Sequence, residues 1–433
     1  MALGGGIFTA QNKILPGSYI NVVSLAVATS RLAARGIAAL PCALDWGPEG
    51  KVFQVTADDF ARVPLRKLGY EYKHAKLKGL RDLFKRAKSC YFYRLGTGGA
   101  KAANTYANAV YSGTRGNGLR IVIEPGEGHT VADPVYDVST YMDMTLADKQ
   151  TVKAADELKD NDYVSFIPTA SLAVTAGAPL TGGTNGTVSN ADHQTALDKL
   201  EKYSFNAIGC LSDDPTVKGL YAAYAKRMRD EVGMKTQAVV HKYTDADSEA
   251  VISIENNATA ELVYWATGAA AGCEVNQSLT NAVYDGEYVI DADYTQTQLE
   301  DAILAGKFIF HIVGNTVNVL KDINTLVTST EDKGKIFSNN QSVRVADQIA
   351  NDIASLFNTK YLGKIPNDAD GRISFWNDVV KHHQELEKIR AIENFDAANV
   401  VVEPGSDKTS IVVTDSVTIV NAMEQLYMTV FCH

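Results

Sequence analysis

The chain carries a strand-like segment at residues 416–431, which read SVTIVNAMEQLYMTVF. Its β-branched, aromatic and other apolar side chains are typical of a β-strand. Chain ends are usually polar and loosely ordered unless another element holds them. Residues 14–23, ILPGSYINVV, have the same character after a Pro-Gly turn signal. Neither segment has an evident partner nearby in the sequence. Because an unpaired strand is a template for another chain, both predict strand exchange between subunits.

Composition narrows the class of protein. A chain of 433 residues is expected to form two to four domains. Apolar and charged contents of 45% and 21% are those of a soluble globular protein. The net charge of −10 argues against broad nucleic-acid binding, which needs a basic surface. The five cysteines are widely spaced without a CxxC motif, so we expect free thiols from a reducing cytosol.

The sequence shows no export or membrane signal. The residues after Met1 lack a basic region followed by an apolar run, so no signal peptide is predicted. The longest nearly apolar run, residues 262–273, is too short to span a bilayer. An extracellular role would therefore need release by lysis, and a secreted adhesin or surface-layer protein would need an export signal that is not seen here.

Apolar periodicity predicts an α/β and α+β multidomain protein. Strands alternate with helices on both sides of a stretch of short strands and turn signals, which favours an α/β core with an inserted small β-sandwich or barrel. The predicted segments are an N-terminal arm at 1–30, core at 31–95, the inserted β-rich outer domain at 96–180, core at 181–315, a C-terminal α+β domain at 316–413 and a C-terminal arm at 414–433.

The best enzymatic lead is the stretch GTGGAK at residues 96–101, which follows a predicted strand. Glycines in such a turn let backbone N–H groups approach a pyrophosphate, and Glu124 ends a later strand where a ribose ligand would be expected. A nucleotide-dependent oxidoreductase using Gly96, Gly98 and Glu124 is the alternative function. Two features argue against this function. Lys101 stands where a dinucleotide-binding motif has its third small residue, and the helix predicted at 102–111 is short.

Other motifs give no active site. The stretch GGTNG at 182–186 lacks the Lys-Ser/Thr of a phosphate loop and favours a flexible turn. His382 and His383 are adjacent and so point to different helix faces, which suits a metal poorly; we expect one on the apolar side and the other in solvent. Asp291 and Asp293 are more typical of a solvated loop than of a cation site. We therefore predict no catalytic residue, no cofactor and no metal.

Several blocks resemble contractile phage tail sheath proteins. These are ILPGSYI at residues 14–20, GIAALP followed by LDWGP at 36–48, GGTNG with the helix that follows it, and above all NAMEQLYMTV at 421–430. The similarity covers nearly the whole chain. It is strongest to sheaths of Gram-positive myophages, defective prophages and diffocin-type R-type bacteriocins.

The resemblance implies a structural subunit that polymerises as hexameric rings stacked helically around a tail tube. Contraction would drive the tube through a target cell envelope, with baseplate and tail terminator proteins as further partners. It implies assembly in the bacterial host cytoplasm and release by lysis, with no nucleic-acid partner and no direct membrane insertion. The terminal arms would pair with strands in neighbouring subunits, and the residues expected to carry that pairing are Leu15, Tyr19, Ile20, Val22, Val417, Ile419, Leu426, Tyr427, Met428 and Val430.

The resemblance also implies that the C-terminal domain faces the tube. A helix predicted at 374–390 carries Lys381 and Lys388, with Arg390 at its end. These three residues are the candidates for contact with an acidic tube, and an ordinary amphipathic helix with a solvated face is the equally weighted alternative.

Overall fold

The computed structural model describes residues 32–432. Within that range the strands are β1 Ile37–Ala43, β2 Val52–Thr56, β3 Ser89–Leu95, β4 Lys101–Ala103, β5 Ala107–Ser112, β6 Leu119–Pro125, β7 Tyr136–Met142, β8 Thr145–Val152, β9 Val164–Phe166, β10 Thr175–Pro179, β11 Ala207–Gly209, β12 Gln237–His241, β13 Val251–Ile254, β14 Lys307–Phe308, β15 Phe310–Val313, β16 Thr316–Val319, β17 Ile392–Glu393, β18 Val401–Pro404, β19 Ile411–Thr414 and β20 Thr418–Ile419. The helices are α1 Ala57–Arg62, α2 Pro64–Leu68, α3 Lys78–Phe84, α4 Asn190–Leu200, α5 Pro215–Arg227, α6 Leu262–Gly272, α7 Gln296–Leu304, α8 Asn340–Leu356 and α9 Ala369–Lys388.

The described chain divides into two compact units. The larger unit comprises residues 33–351, 386–395 and 417–432. The smaller unit comprises Leu32 with residues 352–385 and 396–416.

A seven-stranded sheet organises the larger unit, in the order β14-β13-β12-β11-β1-β3-β2. Neighbouring strands are parallel except β2, which pairs antiparallel with β3 at the edge. Alternate residues of β1 enter two different cores, since Ala38 and Leu40 pack with α3 and α6 while Ala39 packs with α4 and α5. The sheet is therefore covered by helices on both faces, as parallel sheets require, and this confirms the predicted α/β core.

The inserted β domain consists of a four-stranded sheet, β10-β6-β7-β8, and a three-stranded sheet, β4-β5-β9. All its strand pairs are antiparallel. Side chains from both sheets share one core, which includes Ala107 and Val164 from one and Ile121 and Val138 from the other. This is the predicted small β-sandwich. The apolar run LAVT at residues 172–175 predicts a strand there, but β10 begins only at Thr175.

The smaller unit is built on the end of α8, on α9 and on a hairpin of β18 and β19. Phe375, Val379 and Val380 of α9 are buried in it together with Leu356 and Tyr361. A π-helical turn, Phe357–Tyr361, extends α8. The hairpin pairs Val401 with Thr414 and Pro404 with Ile411. A pair of helices covered by a hairpin agrees with the predicted α+β character of this region.

Helix α9 begins five residues before the predicted start and ends two residues before the predicted end. It starts early because the Asp368 side chain accepts a hydrogen bond from the Gly371 backbone N–H at 2.8 Å, which caps the first turn. It ends because Arg390 adopts a left-handed backbone, with φ +60°. The Ala391 N–H then donates back to the Leu386 carbonyl at 2.9 Å, closing the last turn.

Candidate functional site

The two glycine-rich stretches of the sequence meet each other at the base of the inserted domain. Isolated β-bridges join Thr97 to Thr187 and Ala100 to Thr184. A Cβ atom on Gly99 would lie 2.7 Å from the Thr184 carbonyl oxygen, so the close backbone approach requires glycine there. The glycines therefore serve backbone contact between the two strands that enter and leave the domain.

The helix expected at 102–111 in the nucleotide-binding alternative is wrong. Strands β4 and β5 occupy that stretch, so no helix N-terminus follows the turn to receive a pyrophosphate. Gly96 and Gly98 take left-handed backbone angles of +98° and +78° within a turn. Glu124 is exposed near the end of β6, opposite Asp137 in the antiparallel register.

The expectation that one of the two adjacent histidines is solvated is also wrong. His382 and His383 are both buried, because the smaller unit covers both sides of α9. His382 Nε2 lies 3.0 Å from an Asp352 carboxylate oxygen, and His383 Nε2 lies 2.7 Å from an Asp415 carboxylate oxygen. Each ring is thus held by its own carboxylate. No group of three or more potential metal ligands occurs within residues 32–432.

The root of the C-terminal arm is anchored on its own chain. Strand β20 pairs antiparallel with β17. The Gln341 side chain holds the backbone that follows β20 with two hydrogen bonds. It donates to the Val420 carbonyl at 3.3 Å and accepts from the Ala422 N–H at 2.9 Å. Glu424 then pairs with Lys321 at 3.1 Å. The root therefore runs from β20 to Glu424, and it includes Ile419 from the predicted arm residues.

The rest of the arm, residues 425–432, is called the free segment here. It has no regular secondary structure and is exposed along its length. The exposed fractions of its large apolar residues range from 67% to 87%, for Leu426, Tyr427, Met428, Val430 and Phe431. Contiguous apolar exposure of this kind marks an interaction surface. Four of the arm residues predicted from the sequence lie in it, whereas Leu15, Tyr19, Ile20 and Val22 lie outside the described residues.

The hairpin of the smaller unit offers open strand edges. Among the described residues, β18 and β19 pair only with each other. Val401, Val412 and Val413 are exposed large apolar residues on them. Unpaired N–H and C=O groups beside exposed valines favour the addition of a further strand.

Two clefts adjoin this hairpin. One, of about 380 Å³, is lined by residues Val400 to Val402 and by Arg372, Ile373 and Trp376 of α9. The other is a cavity of about 100 Å³ between the α8–α9 connection and the beginning of β19. Added strands would have apolar space in which to bury side chains, which sequence reasoning did not predict.

The three basic residues predicted to contact a tube are all exposed. Lys381 and Lys388 lie seven residues apart on α9, so helical periodicity places them on the same side. Arg390 follows the helix in its left-handed turn. The same stretch also carries exposed Gln384 and Glu385, so the surface is mixed in charge.

Family models match the chain in consecutive parts. They describe a domain III N-terminal region of the tail sheath protein Gp18 at residues 35–95, a tail sheath beta-sandwich domain at 97–185, a tail sheath central domain at 186–325 and a tail sheath C-terminal domain at 332–432. The phage-like element PBSX protein XkdK of Bacillus subtilis is 32% identical, with 99% of each chain covered. The chain belongs to the phage tail sheath protein family. The predicted resemblance is confirmed.

Solved structures agree with this assignment. The sheath tail protein of Desulfitobacterium hafniense is 36% identical to this sheath protein, with a TM-score of 0.81 over 94% of this chain and 98% of the other. The corresponding protein of Listeria innocua is 30% identical, with a TM-score of 0.79 over 91% and 94%. The anti-feeding prophage sheath in its contracted state shares the fold at 12% identity and a TM-score of 0.54, covering 97% and 99%.

The sheath protein is thus a component of a phage tail or tail-like particle, and nothing in these comparisons supports the oxidoreductase alternative. No helix in the described part of the chain is both long and apolar enough to cross a bilayer. Sequence reasoning missed the anchoring role of Gln341 and the two clefts. The apolar, β-branched and aromatic composition of residues 426–431 was the signal that identified the free segment.

Proposed function

We propose that this sheath subunit polymerises helically, as stacked six-membered rings around a tail tube, and that contraction drives the tube through a target cell envelope. The observation that carries the proposal is an exposed apolar free segment on a chain whose hairpin has open strand edges. The segment needs a partner strand, and the hairpin of a neighbour supplies one.

Strand addition explains how neighbours stay linked while subunits move. The free segment of one subunit adds to β18 or β19 of a second, and the N-terminal residues 15–23 of a third add to the remaining edge. Main-chain hydrogen bonds supply the link and alternating side chains supply the register. Because such a head-to-tail contact does not close on itself, it generates a helix. The arm roots act as hinges between rigid subunits.

The same proposal includes the proteins that the subunit contacts and the compartment in which it assembles. The subunit meets the tube inside and baseplate and terminator proteins at the ends, and it assembles in the host cytoplasm before release by lysis. The energy of contraction lies in the difference between two packings of the polymer, so no catalytic residue, cofactor, metal or nucleic acid takes part. Two packings of one sequence that differ by a few kcal/mol are a known basis of conformational switching.

Deletion of residues 425–433 tests the link, because it removes the free segment and leaves the anchored root intact. We expect the variant to remain folded and monomeric at concentrations where the full chain sediments as striated tubes. Replacing exposed apolar residues of the inserted domain by serine, Val131→Ser with Met144→Ser, is the matched control and should leave polymerisation unchanged. Tubes formed without residues 425–433 would contradict the proposal.

We propose that Lys381, Lys388 and Arg390 contact the tube. Their shared exposure on and just after α9 supports this contact, since an acidic tube would pair with exposed cations. A variant with all three changed to Glu should lose co-sedimentation with tube protein at low salt. The control changes three exposed lysines elsewhere, Lys73→Glu, Lys101→Glu and Lys159→Glu, by the same total charge. Equal loss in both variants would refute a specific contact.

A further inference from the structure

We propose that the 100 Å³ cavity beside β19 is the receptor for the Tyr427 side chain of a neighbouring copy of this chain. The inference rests on the proposed exchange of arms and adds the side chain and pocket that set its register. The cavity lies in the smaller unit and is lined by the end of α8, by α9 and by the start of β19.

The floor of the cavity is aromatic. The Phe375 ring meets the Phe357 ring at a centroid distance of 5.8 Å and an angle of 83°, and it meets the Tyr361 ring at 4.9 Å and 82°. Both contacts are edge-to-face, the arrangement that aromatic pairs favour. A further ring entering the cavity would extend this cluster.

The rim of the cavity is polar and cationic. Arg372 donates through Nη1 to the Asn367 backbone and side-chain oxygens, at 3.2 and 3.1 Å. Its Nε and Nη2 groups make no hydrogen bond or ion pair to residues 32–432. An occupant with an apolar body and an oxygen at its tip would satisfy both parts of the cavity. A phenol has this form, because its ring is apolar and its hydroxyl accepts as well as donates.

The free segment carries one such side chain. Tyr427 is 87% exposed, and within residues 32–432 its hydroxyl bonds only to Gln425 of the same segment, at 3.2 Å. Phe431 lies on the same face of an extended strand, about 13 Å further along at ~3.3 Å per residue, and has no hydroxyl for the rim. The structure therefore favours Tyr427 as the occupant.

Position and size agree with this assignment. Ile411 is both the first residue of β19 and a wall of the cavity, so a strand added to β19 carries its side chains past the opening. An apolar cavity of about 150 Å³ is known to hold benzene. The cavity of about 100 Å³ is smaller but open at its mouth, so it would enclose the inner part of one ring and leave the hydroxyl at the rim.

The critical concentration for polymerisation of the full-length chain tests the inference. Tyr427→Ala should raise it about 10- to 30-fold, as expected when a central aromatic anchor is lost. Tyr427→Phe and Arg372→Gln should each raise it about 3- to 10-fold, as expected for one lost hydrogen bond at a solvent-accessible rim. The double variant should be no worse than either single variant, because both changes remove the same bond. Phe431→Ala is the matched control and should have less than a threefold effect.

A second variant blocks the cavity from the receiving side. Thr409 is exposed at the mouth, so Thr409→Trp should raise the critical concentration without affecting folding, while Ser406→Trp in the same loop should not. If Tyr427→Ala polymerises like the full chain while deletion of residues 425–433 does not, the cavity assignment is wrong and arm exchange stands. If the deletion also polymerises normally, both are wrong. The assignment would also be wrong if Tyr427→Phe and Arg372→Gln had additive effects on the free energy of polymerisation. It would likewise be wrong if Arg372→Gln were non-additive with a substitution of Tyr19 instead of Tyr427.

Discussion

His383 Nε2 lies 2.7 Å from Asp415 Oδ2, and Asp415 is the second residue of the C-terminal arm predicted at 414–433. The other ring nitrogen, Nδ1, lies 2.9 Å from the Val379 carbonyl oxygen. The buried His383 ring therefore lies between two hydrogen-bond acceptors, a carboxylate and a backbone carbonyl. The contact with Asp415 thus fixes helix α9 to the residue that follows β19.

Asp415→Ala should destabilise the protein by about 1–3 kcal/mol, because it leaves the buried Nε2 of His383 without its hydrogen-bond partner. Urea unfolding followed by the fluorescence of Trp376 measures the change in the smaller unit. Asp407→Asn is the control, since that exposed side chain makes no ion pair within residues 32–432. Equal stability of Asp415→Ala and the wild type would show that the hydrogen bond between His383 and Asp415 contributes nothing.

A second buried pair joins α8 to the turn after α5. Arg229 donates through both terminal nitrogens to the Asp347 carboxylate, each at 2.7 Å, and both side chains are buried. Asp347→Ala should cost about 1–3 kcal/mol, because the guanidinium loses two hydrogen bonds, while the buried Glu249 carboxylate 3.7 Å away still offsets part of its charge. Arg229→Lys should also destabilise, since an ammonium cannot form the two parallel bonds.

Urea denaturation of the larger unit measures both changes. The exposed pair of Lys153 and Asp133, at 2.9 Å, gives the control, and Asp133→Ala should be close to wild type because solvent screens it. A similar loss in Asp133→Ala and Asp347→Ala would mean that burial does not distinguish the two pairs.

Much of the fold follows from the sequence because apolar periodicity is local information. The periods of 2 and 3.6 residues indicated the alternating strands and helices of the core and the short strands of the inserted domain. The start of α5 is also a local signal, because Pro215 follows the capping residue Asp214. The position of Asp368 as the cap of α9 was equally local, and recognising it would have corrected the helix start.

The groups that surround the two histidines and the cavity beside β19 could not be predicted from local sequence patterns. Adjacent histidines on a helix point to different faces, and only the tertiary structure shows that carboxylates from Asp352 and Asp415 cover both. Likewise, the apolar composition of the arm indicates that a partner is missing. The cavity beside β19, however, is formed by residues from 357 to 411, which no local pattern connects.

The stability of the larger unit should fall as the pH is lowered below about 6.5, partly because of His193. Burial lowers the pKa of this imidazole, although the charges of Asp192 and Asp214 oppose the shift. Its Nδ1 lies 3.0 Å from the Tyr221 hydroxyl. The unfolded chain therefore takes up a proton near pH 6.5 that the folded chain does not bind until lower pH, so protonation favours unfolding.

His193→Gln should reduce this loss of stability between pH 7.5 and 5.5. One proton contributes at most about 1.4 kcal/mol per pH unit, which sets the largest difference in slope between the two proteins. Urea unfolding at several pH values measures the slope. An identical slope in the wild type and in His193→Gln would contradict the assignment of this histidine.

Gly268 sets how closely α6 packs against α3. A Cβ atom at this position would lie 2.2 Å from the Leu83 carbonyl oxygen, a backbone atom that cannot rotate away. Alanine is the better helix former by about 1 kcal/mol, yet we expect Gly268→Ala to destabilise by about 1–3 kcal/mol because the two helices must separate.

Gly219, also inside a helix, gives the matched comparison. A Cβ atom there would lie 3.1 Å from the Tyr243 hydroxyl, the end of a side chain that can move. Gly219→Ala should therefore be neutral or stabilising by up to about 1 kcal/mol, because only the gain in helix propensity remains. Thermal or urea unfolding of both variants separates the two effects. If both substitutions stabilise the protein, the backbone contact at Gly268 does not limit the approach of α6 to α3.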